Sequence, residues 1–302
     1  MTAPKVKRLA SRMKKRHILA HILVYFILIG LSFVYLYPIL YMVVNSLFSP
    51  ADLTDPSVSW IPTEWYFQNY VEAFQTLDFT YSFTNSIILS LVPALLQTMV
   101  TAIVGFGLAR FQFPCKKLLF IVILATFLLP SQVMMVPRYV LFDSYHLTNT
   151  VWVQFLPALF GQGVKSAIFI LVFYQYFSSY PKALDEAAEI DGAGKVRLFL
   201  KIALPMASGA VVLSLLFSFV WYWNETYQSN IMFGSVIQTL PLRLQSFTLQ
   251  YEAIYGADAA GSISESVVLA GTVLSVLPIL LLYVLLQRQF VESIEQAGIT
   301  GE

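Results

Sequence analysis

Charge is scarce in this chain. Asp, Glu, Lys and Arg make up 12% of its 302 residues, about half of what a soluble globular chain carries. So few charges cannot cover a water-facing surface, which puts much of the surface against lipid. Cysteine is nearly missing: Cys115 stands alone, which excludes an intrachain disulfide and a cysteine-rich metal site. It adjoins Lys116 and Lys117, cations of the kind that depress a thiol pKa, yet on a short loop it reads as a bystander. His17, His21 and His146 are scattered without metal-ligand spacing. The same shortage leaves no nucleophile–base arrangement. No G-x-x-x-x-G-K-[ST] phosphate loop occurs; in the lookalike Gly161-Gln-Gly-Val-Lys165-Ser166, a valine replaces the glycine before lysine. No metal, no cofactor and no nucleic acid are therefore expected on this chain, and no enzymatic site of its own.

What is present is hydrophobic length. The chain is 58% hydrophobic with a mean hydropathy of +0.70, and a membrane span needs about 20 mostly apolar residues. Six windows meet or approach that: Ile18–Val44, Ser86–Leu108, Leu118–Val136, a blurred fourth from between Val151 and Ser166 to near Tyr176, Ala207–Trp223, and Val267–Leu286. The first follows basic residues as a signal peptide would, but it is too long for an h-region and lacks a small-residue cleavage site. It is expected to be an uncleaved span over 18–47.

The basic residues set the orientation. Seven precede the first window (Lys5, Lys7, Arg8, Arg12, Lys14, Lys15, Arg16), three follow the second (Arg110, Lys116, Lys117), four lie between the fourth and fifth (Lys182, Lys195, Arg197, Lys201), and Arg288 follows the sixth. Fifteen of the eighteen thus share one side, which is cytoplasmic if both termini are. This divides the chain into a basic cytoplasmic N-terminus (1–17), the first span, an extracytoplasmic segment (48–85), a core with spans two to six (86–286), and a cytoplasmic tail (287–302). No internal repeat and no low-complexity stretch is evident. The outer connections 49–82 and 225–266 hold tryptophan, tyrosine and proline, as packed caps do.

Between the fourth and fifth windows lies Pro181-Lys-Ala-Leu-Asp-Glu-Ala-Ala-Glu-Ile-Asp-Gly-Ala-Gly-Lys-Val-Arg-Leu-Phe-Leu-Lys-Ile-Ala-Leu-Pro205. Its physics predicts two short helices with a bend. Pro181 suits a first helical position, and Asp185 and Glu186 complement the helix dipole. Gly192 can turn left-handed and stop the first helix; Lys195–Ile202 restarts it and Pro205 ends it. Leu184, Ala187, Ala188 and Asp191 share one face of small residues that permits close approach of a partner.

Glu186-Ala187-Ala188, Asp191-Gly192-Ala193, then Ile202, Leu204 and Pro205 resemble the EAA loop of binding-protein-dependent ABC importer permeases. Ala109-Arg110-Phe111, Phe113-Pro114, Leu129-Pro130, Asn149-Thr150, Leu156-Pro157, Trp223-Asn224-Glu225 and Gln287-Arg288-Gln289-Phe290-Val291 are similar to landmarks of its carbohydrate, maltose-type branch. The resemblance covers nearly the whole chain. It implies an all-α integral membrane protein of the bacterial inner membrane, with six transmembrane helices, a type I importer permease fold and cytoplasmic termini. It further implies a homologous second permease, two ATPase subunits that hold ATP and Mg, an extracytoplasmic solute-binding protein and a sugar substrate. Glu186, Ala187, Ala188, Asp191, Gly192 and Ala193 would dock on the ATPase. Gln296, Ala297 and Gly298 resemble the tail that enters the ATPase pair, though Glu292-Ser-Ile-Glu295 is more acidic than the family's run.

Three residues are candidates for the substrate pathway. A charge inside a span is functional by default, and Lys165 would face the pathway near mid-membrane if the fourth helix begins near Gly163. It could bind sugar hydroxyls or the carboxylate of an acidic sugar, pair with a carboxylate of the partner permease, or snorkel to the outer interface. Asn224 and Glu225 end the fifth window beside Trp221 and Trp223; they could recognise hydroxyls, cap the helix or line an outer gate, while the tryptophans suit an interfacial aromatic belt. The competing class is a self-sufficient secondary transporter or channel. It calls for coupling ions, paired acids within spans and two symmetric halves, none of which is visible.

Overall fold

The structure, a computed structural model, describes residues 3–256 and 263–299, with side chains for 21–256 and 263–288. Every regular element among the described residues is helical. In chain order these are α1 (Ala3–Asn45), α2 (Pro50–Thr54), α3 (Gln68–Thr76), α4 (Phe79–Arg110), α5 (Lys116–Leu128), α6 (Met135–Ser144), α7 (Trp152–Leu159) and α8 (Ser166–Ser179). There follow α9 (Ala183–Ile190), α10 (Lys195–Leu198), a π-helical turn (Phe199–Ala203), α11 (Leu204–Met206), α12 (Ser208–Trp223), α13 (Tyr227–Phe233), α14 (Leu240–Gln245), α15 (Phe247–Tyr255) and α16 (Glu265–Ile299). The described parts of Met1–Phe74 and Asp258–Leu274 form one compact unit, and those of Gln75–Ala257 and Ser275–Glu302 another.

In the first unit the apolar part of α1 is exposed all round, from Ile22 to Tyr41, as a lipid-facing helix is. The chain then folds back on its end. Ser49 and Asp52 form a capping box that opens α2, and the Thr63 hydroxyl donates to Asp52 at 2.5 Å. Buried Asn69 donates to the carbonyls of Ser46 and Phe48 at 3.0 and 2.8 Å. Trp60 packs edge-on to Tyr37, with ring centroids 5.3 Å apart. The segment after α1 is therefore packed rather than loose, because its polar side chains satisfy backbone groups of the turn that follows α1.

In the second unit α4 is the central helix, packed by α7, α8 and α12. Its buried stripe is built of small or polar residues, Ser82, Ser86, Ser90, Ala94, Thr98 and Ala102, spaced every four so that they share one face. Small residues let backbones approach closely, the usual basis of helix packing in membranes. Gly105 shows the limit: a Cβ there would stand 2.9 Å from the Tyr174 amide nitrogen of α8. The opposite face, Ile88, Leu91, Leu95, Met99 and Ile103, is exposed. Pro93 lies within α4 without ending it.

Among the described residues three helices are long and apolar enough to cross a membrane, His21–Asn45, Phe79–Arg110 and Glu265–Arg288, and a fourth if Lys195–Met206 and Ser208–Trp223, bent by 79°, form one span. The third and fourth windows are not single helices. The third is divided between α5 and α6 around Leu129–Met134, where Pro130 removes a donor from the ladder. The fourth is divided between α7 and α8, with Gly161 at φ +69° and Lys165 at φ +54° in the gap; those left-handed residues break a right-handed helix.

Candidate functional site

The loop 181–205 stands on a buried aromatic cluster. Phe106 from α4, Phe173 and Phe177 from α8, and Leu198 and Phe199 from the restart form one core with Tyr180 and Ala188. As expected, Gly192 is left-handed, φ +77°, and stops the first helix, and the second restarts at Lys195. Pro181 lies two residues before α9, its carbonyl accepting from the Leu184 amide, within the latitude of a helix end. Pro205 does not end the helix. The π turn shifts the bonding register ahead of it, so that proline enters α11 in its first turn, where a missing N–H costs nothing. The break falls instead at Ala207.

The face shared by Leu184, Ala187, Ala188 and Asp191 is not uniformly packed. Ala188 is buried at 6% exposure, and Ala193 is partly buried against the same core. Leu184, Glu186, Ala187, Asp191 and Gly192 are exposed. Ile190 and Val196 are 87% and 73% exposed, so the tip presents apolar side chains next to carboxylates. Glu186 has no ion-pair partner among the described residues, while Glu189 pairs with Lys195 across the bend.

At the base of the loop three side chains lock together. The Arg110 guanidinium, at the end of α4, lies with Nε 3.3 Å from Asp185 Oδ2, its Nη2 donates to the Tyr180 carbonyl at 2.7 Å, and its Cζ lies 3.5 Å above the Tyr180 ring. The Tyr180 hydroxyl donates to Asp185 Oδ1 at 2.6 Å. Burial first, and then this donation, push the Tyr180 hydroxyl up to about 12 from its ordinary 10.0. In the sequence Tyr180 carries no signal, Asp185 stands out only as a first-turn carboxylate, and Arg110 only as a basic residue within a family landmark; nothing there joins the three.

A second polar knot fills the break in the fourth window. Gln97, fully buried on α4, donates to the Val164 carbonyl at 2.9 Å and to the Ser218 hydroxyl at 3.1 Å. It accepts from the Tyr222 hydroxyl at 2.8 Å, which accepts in turn from the Val164 amide at 3.2 Å. Unwound backbone at membrane depth needs such partners. Beside it lies a small cavity of about 20 Å³ lined by Arg138, Gln154, Tyr222, Glu225, Gln228 and Ser229, room for a water or two. Sequence reasoning missed Gln97, Tyr222 and Arg138; a large amide within an uncharged apolar window was the available signal.

Lys165 caps α8 from outside it, since that helix begins at Ser166 rather than Gly163. Its ammonium lies 4.4 Å above the Trp221 ring, and no carboxylate pairs with it among the described residues. Trp221 sits between Phe169 and Phe217, at 5.1 and 5.6 Å. Trp223 is buried at 3% exposure against Phe83 and Phe219, so it is a core residue rather than an interfacial belt residue. Asn224 bonds its own helix, donating to the Val220 carbonyl. Glu225 accepts from the Gln228 amide at 2.8 Å and so caps the start of α13, while also lining the cavity. The structure brings Glu225 near Arg138 and Tyr222. The backbone of Gln296, Ala297 and Gly298 continues α16, and their side chains lie outside the described residues.

The regular elements of the described residues are all helical, with an exposed short-helix loop between apolar helices, as in a membrane permease. Residues 101–296 match the family described as binding-protein-dependent transport system inner membrane component, and the chain belongs to that family. It is 30% identical over 266 residues, 88% of its length and 84% of the relative's, to the "Probable ABC transporter permease protein YurM" of Bacillus subtilis (strain 168). It is 29% identical, covering 89% of its length and 86% of the relative's, to the diacetylchitobiose uptake system permease protein NgcG of Streptomyces coelicolor. Its fold is similar to a solved bacterial ABC transporter involved in the import of the acidic polysaccharide alginate, with a TM-score of 0.77 over 91% of this chain and 98% of that one, at 22% identity. The chain is thus an inner-membrane permease component of a binding-protein-dependent transporter. This membership removes the self-sufficient secondary transporter or channel.

Proposed function

We propose that the chain is one half of the membrane pathway of an ATP-driven carbohydrate importer, and that 181–205 is the element through which a separate ATPase drives it. The observation that carries this is the loop: a short helix with exposed Glu186, Ala187, Asp191 and Gly192, rooted on the aromatic core. A protruding helix whose Glu186 carboxylate has no ion-pair partner among the described residues, with Ile190 and Val196 exposed, suits a partner's cleft. In this reading ATP and Mg lie on the partner, which pushes the loop and turns the cavity between two permeases from inward-facing to outward-facing. Substrate then passes from a solute-binding protein into the cavity. The six-span reading, with both termini cytoplasmic, takes α5–α6 and α7–α8 as the third and fourth crossings, each a broken helix. The charge distribution supports it. The tail at Gln296, Ala297 and Gly298 is proposed as a second ATPase contact.

An oligosaccharide substrate is supported by relatives named for uptake of diacetylchitobiose, arabinooligosaccharides and starch degradation products. Lys165, Asn224 and Glu225 are proposed to face the pathway, with Lys165 on Trp221 as the principal contact. Charge reversal at Glu186 tests the main reading: Glu186→Lys should abolish uptake and release the ATPase on purification while the permease is made normally. Unimpaired uptake would overturn it.

A further inference from the structure

We propose that Arg110 is a positioning residue for energy coupling, the centre of a strut with Tyr180 and Asp185 that makes α9 move as one body with α4. The inference rests on the reading of 181–205 as the coupling loop.

Alone, α9 is poorly held. It has eight residues and one buried side chain, Ala188. Both of its connections leave helical geometry: the chain leaves α8 through Tyr180 in extended conformation, and it leaves α9 through left-handed Gly192. The helical hydrogen-bond ladder is interrupted on both sides, so neither neighbouring helix by itself holds α9 in line. The strut removes that freedom, because each of its three members touches the other two. Arg110, only 5% exposed at its side chain, ion-pairs with Asp185, bonds the Tyr180 carbonyl and stacks on the Tyr180 ring. The Tyr180 hydroxyl closes the triangle on Asp185.

The residue types are the ones this geometry needs. Only a guanidinium can donate within its plane and lie flat on a ring at once; a lysine ammonium cannot do both. Asp185 falls in the first turn of α9, where a carboxylate also complements the helix N-terminus. A charge pair this buried holds one arrangement, since either charge left alone is costly. The far end of the strut is α4, packed along its length by α8 and α12. A push on α9 therefore reaches the body that lines the bundle, not the loop alone.

The test uses the complete importer in proteoliposomes, with loaded binding protein outside and uptake and ATP hydrolysis measured together. Asp185→Asn keeps the size and the acceptor for Tyr180 but removes the charge. It should retain the co-purified ATPase and its hydrolysis while substrate moved per ATP falls about fivefold, the scale on which coupling elements alter linkage. Asp185→Glu, which keeps the charge, should recover part of that ratio. An unchanged ratio overturns the strut. So does a parallel fall of uptake and hydrolysis with loss of the ATPase, which a purely structural role would give. Glu186→Lys serves as the control. If it leaves the ATPase bound and uptake intact, the coupling-loop reading itself fails; if it behaves as expected and Asp185→Asn does not, only the strut fails.

Discussion

The side-chain amide of Gln97 on α4 donates to the carbonyl of Val164, 2.9 Å away, inside the gap between α7 and α8. That bond, with the Tyr222 and Ser218 contacts, lets a broken helix persist in an apolar bundle. Gln97→Leu would leave the Val164 carbonyl and the Tyr222 hydroxyl without this partner. With about 1–3 kcal/mol for each buried group left unsatisfied, the detergent-solubilised permease should lose about 3 kcal/mol, read as a lowered unfolding temperature. A variant as stable as the parent would show that water substitutes fully for the amide.

Gly163 is needed for the same knot. A Cβ on it would overlap Gln97 Oε1 and the Tyr222 hydroxyl oxygen and stand 3.2 Å from the Ala158 Cα. Gly163→Ala should therefore destabilise as an overpacking substitution, by roughly 1–3 kcal/mol. Gly107→Ala, where nothing lies within 4 Å of the added carbon, should be neutral or stabilising in the same melt. Equal effects at the two positions would contradict the packing.

Tyr180 links the strut to pH. Its hydroxyl is raised from 10.0 to about 12, so the folded loop favours the neutral form. The stabilisation is complete below pH 10 and is lost as pH rises through 12. The difference in thermal stability between the parent and Tyr180→Phe should stay flat from pH 6 to about 10 and shrink above that. A difference that changed below pH 9 would assign the effect to another group.

Lys165 is answered by the face of Trp221 at 4.4 Å, a contact of about 0.5–2 kcal/mol, and no carboxylate pairs with it among the described residues. If the carboxylate of an acidic saccharide supplies the counter-charge, Lys165→Gln should weaken uptake of that saccharide far more than of a neutral one, in parallel transport assays. Equal losses would identify a structural lysine, and no loss would place it in water outside the pathway.

Truncation after Val291 should lower ATPase stimulation by the loaded binding protein, with the permease pair still assembled. Unchanged stimulation would remove the tail from the coupling path.

Much of the architecture was legible in the chain because membrane physics acts on composition. Long uncharged runs must be helical in lipid, and basic residues sort by side, so α1, α4, α12 and α16 fall where the apolar windows do. The loop was legible because Gly192 and the clustered carboxylates are local signals, read within one turn. The breaks in the third and fourth windows and the roles of Gln97, Tyr222, Arg110 and Asp185 were not. Gln97 and Val164 lie 67 residues apart, and Arg110 and Tyr180 lie 70 apart. No periodicity spans such distances. Composition alone determined that this chain crosses a membrane. Which polar side chain satisfies which freed backbone group was decided by the packing of α4 against α8 and α12, since only tertiary contact brings a distant donor to a carbonyl that its own helix has abandoned.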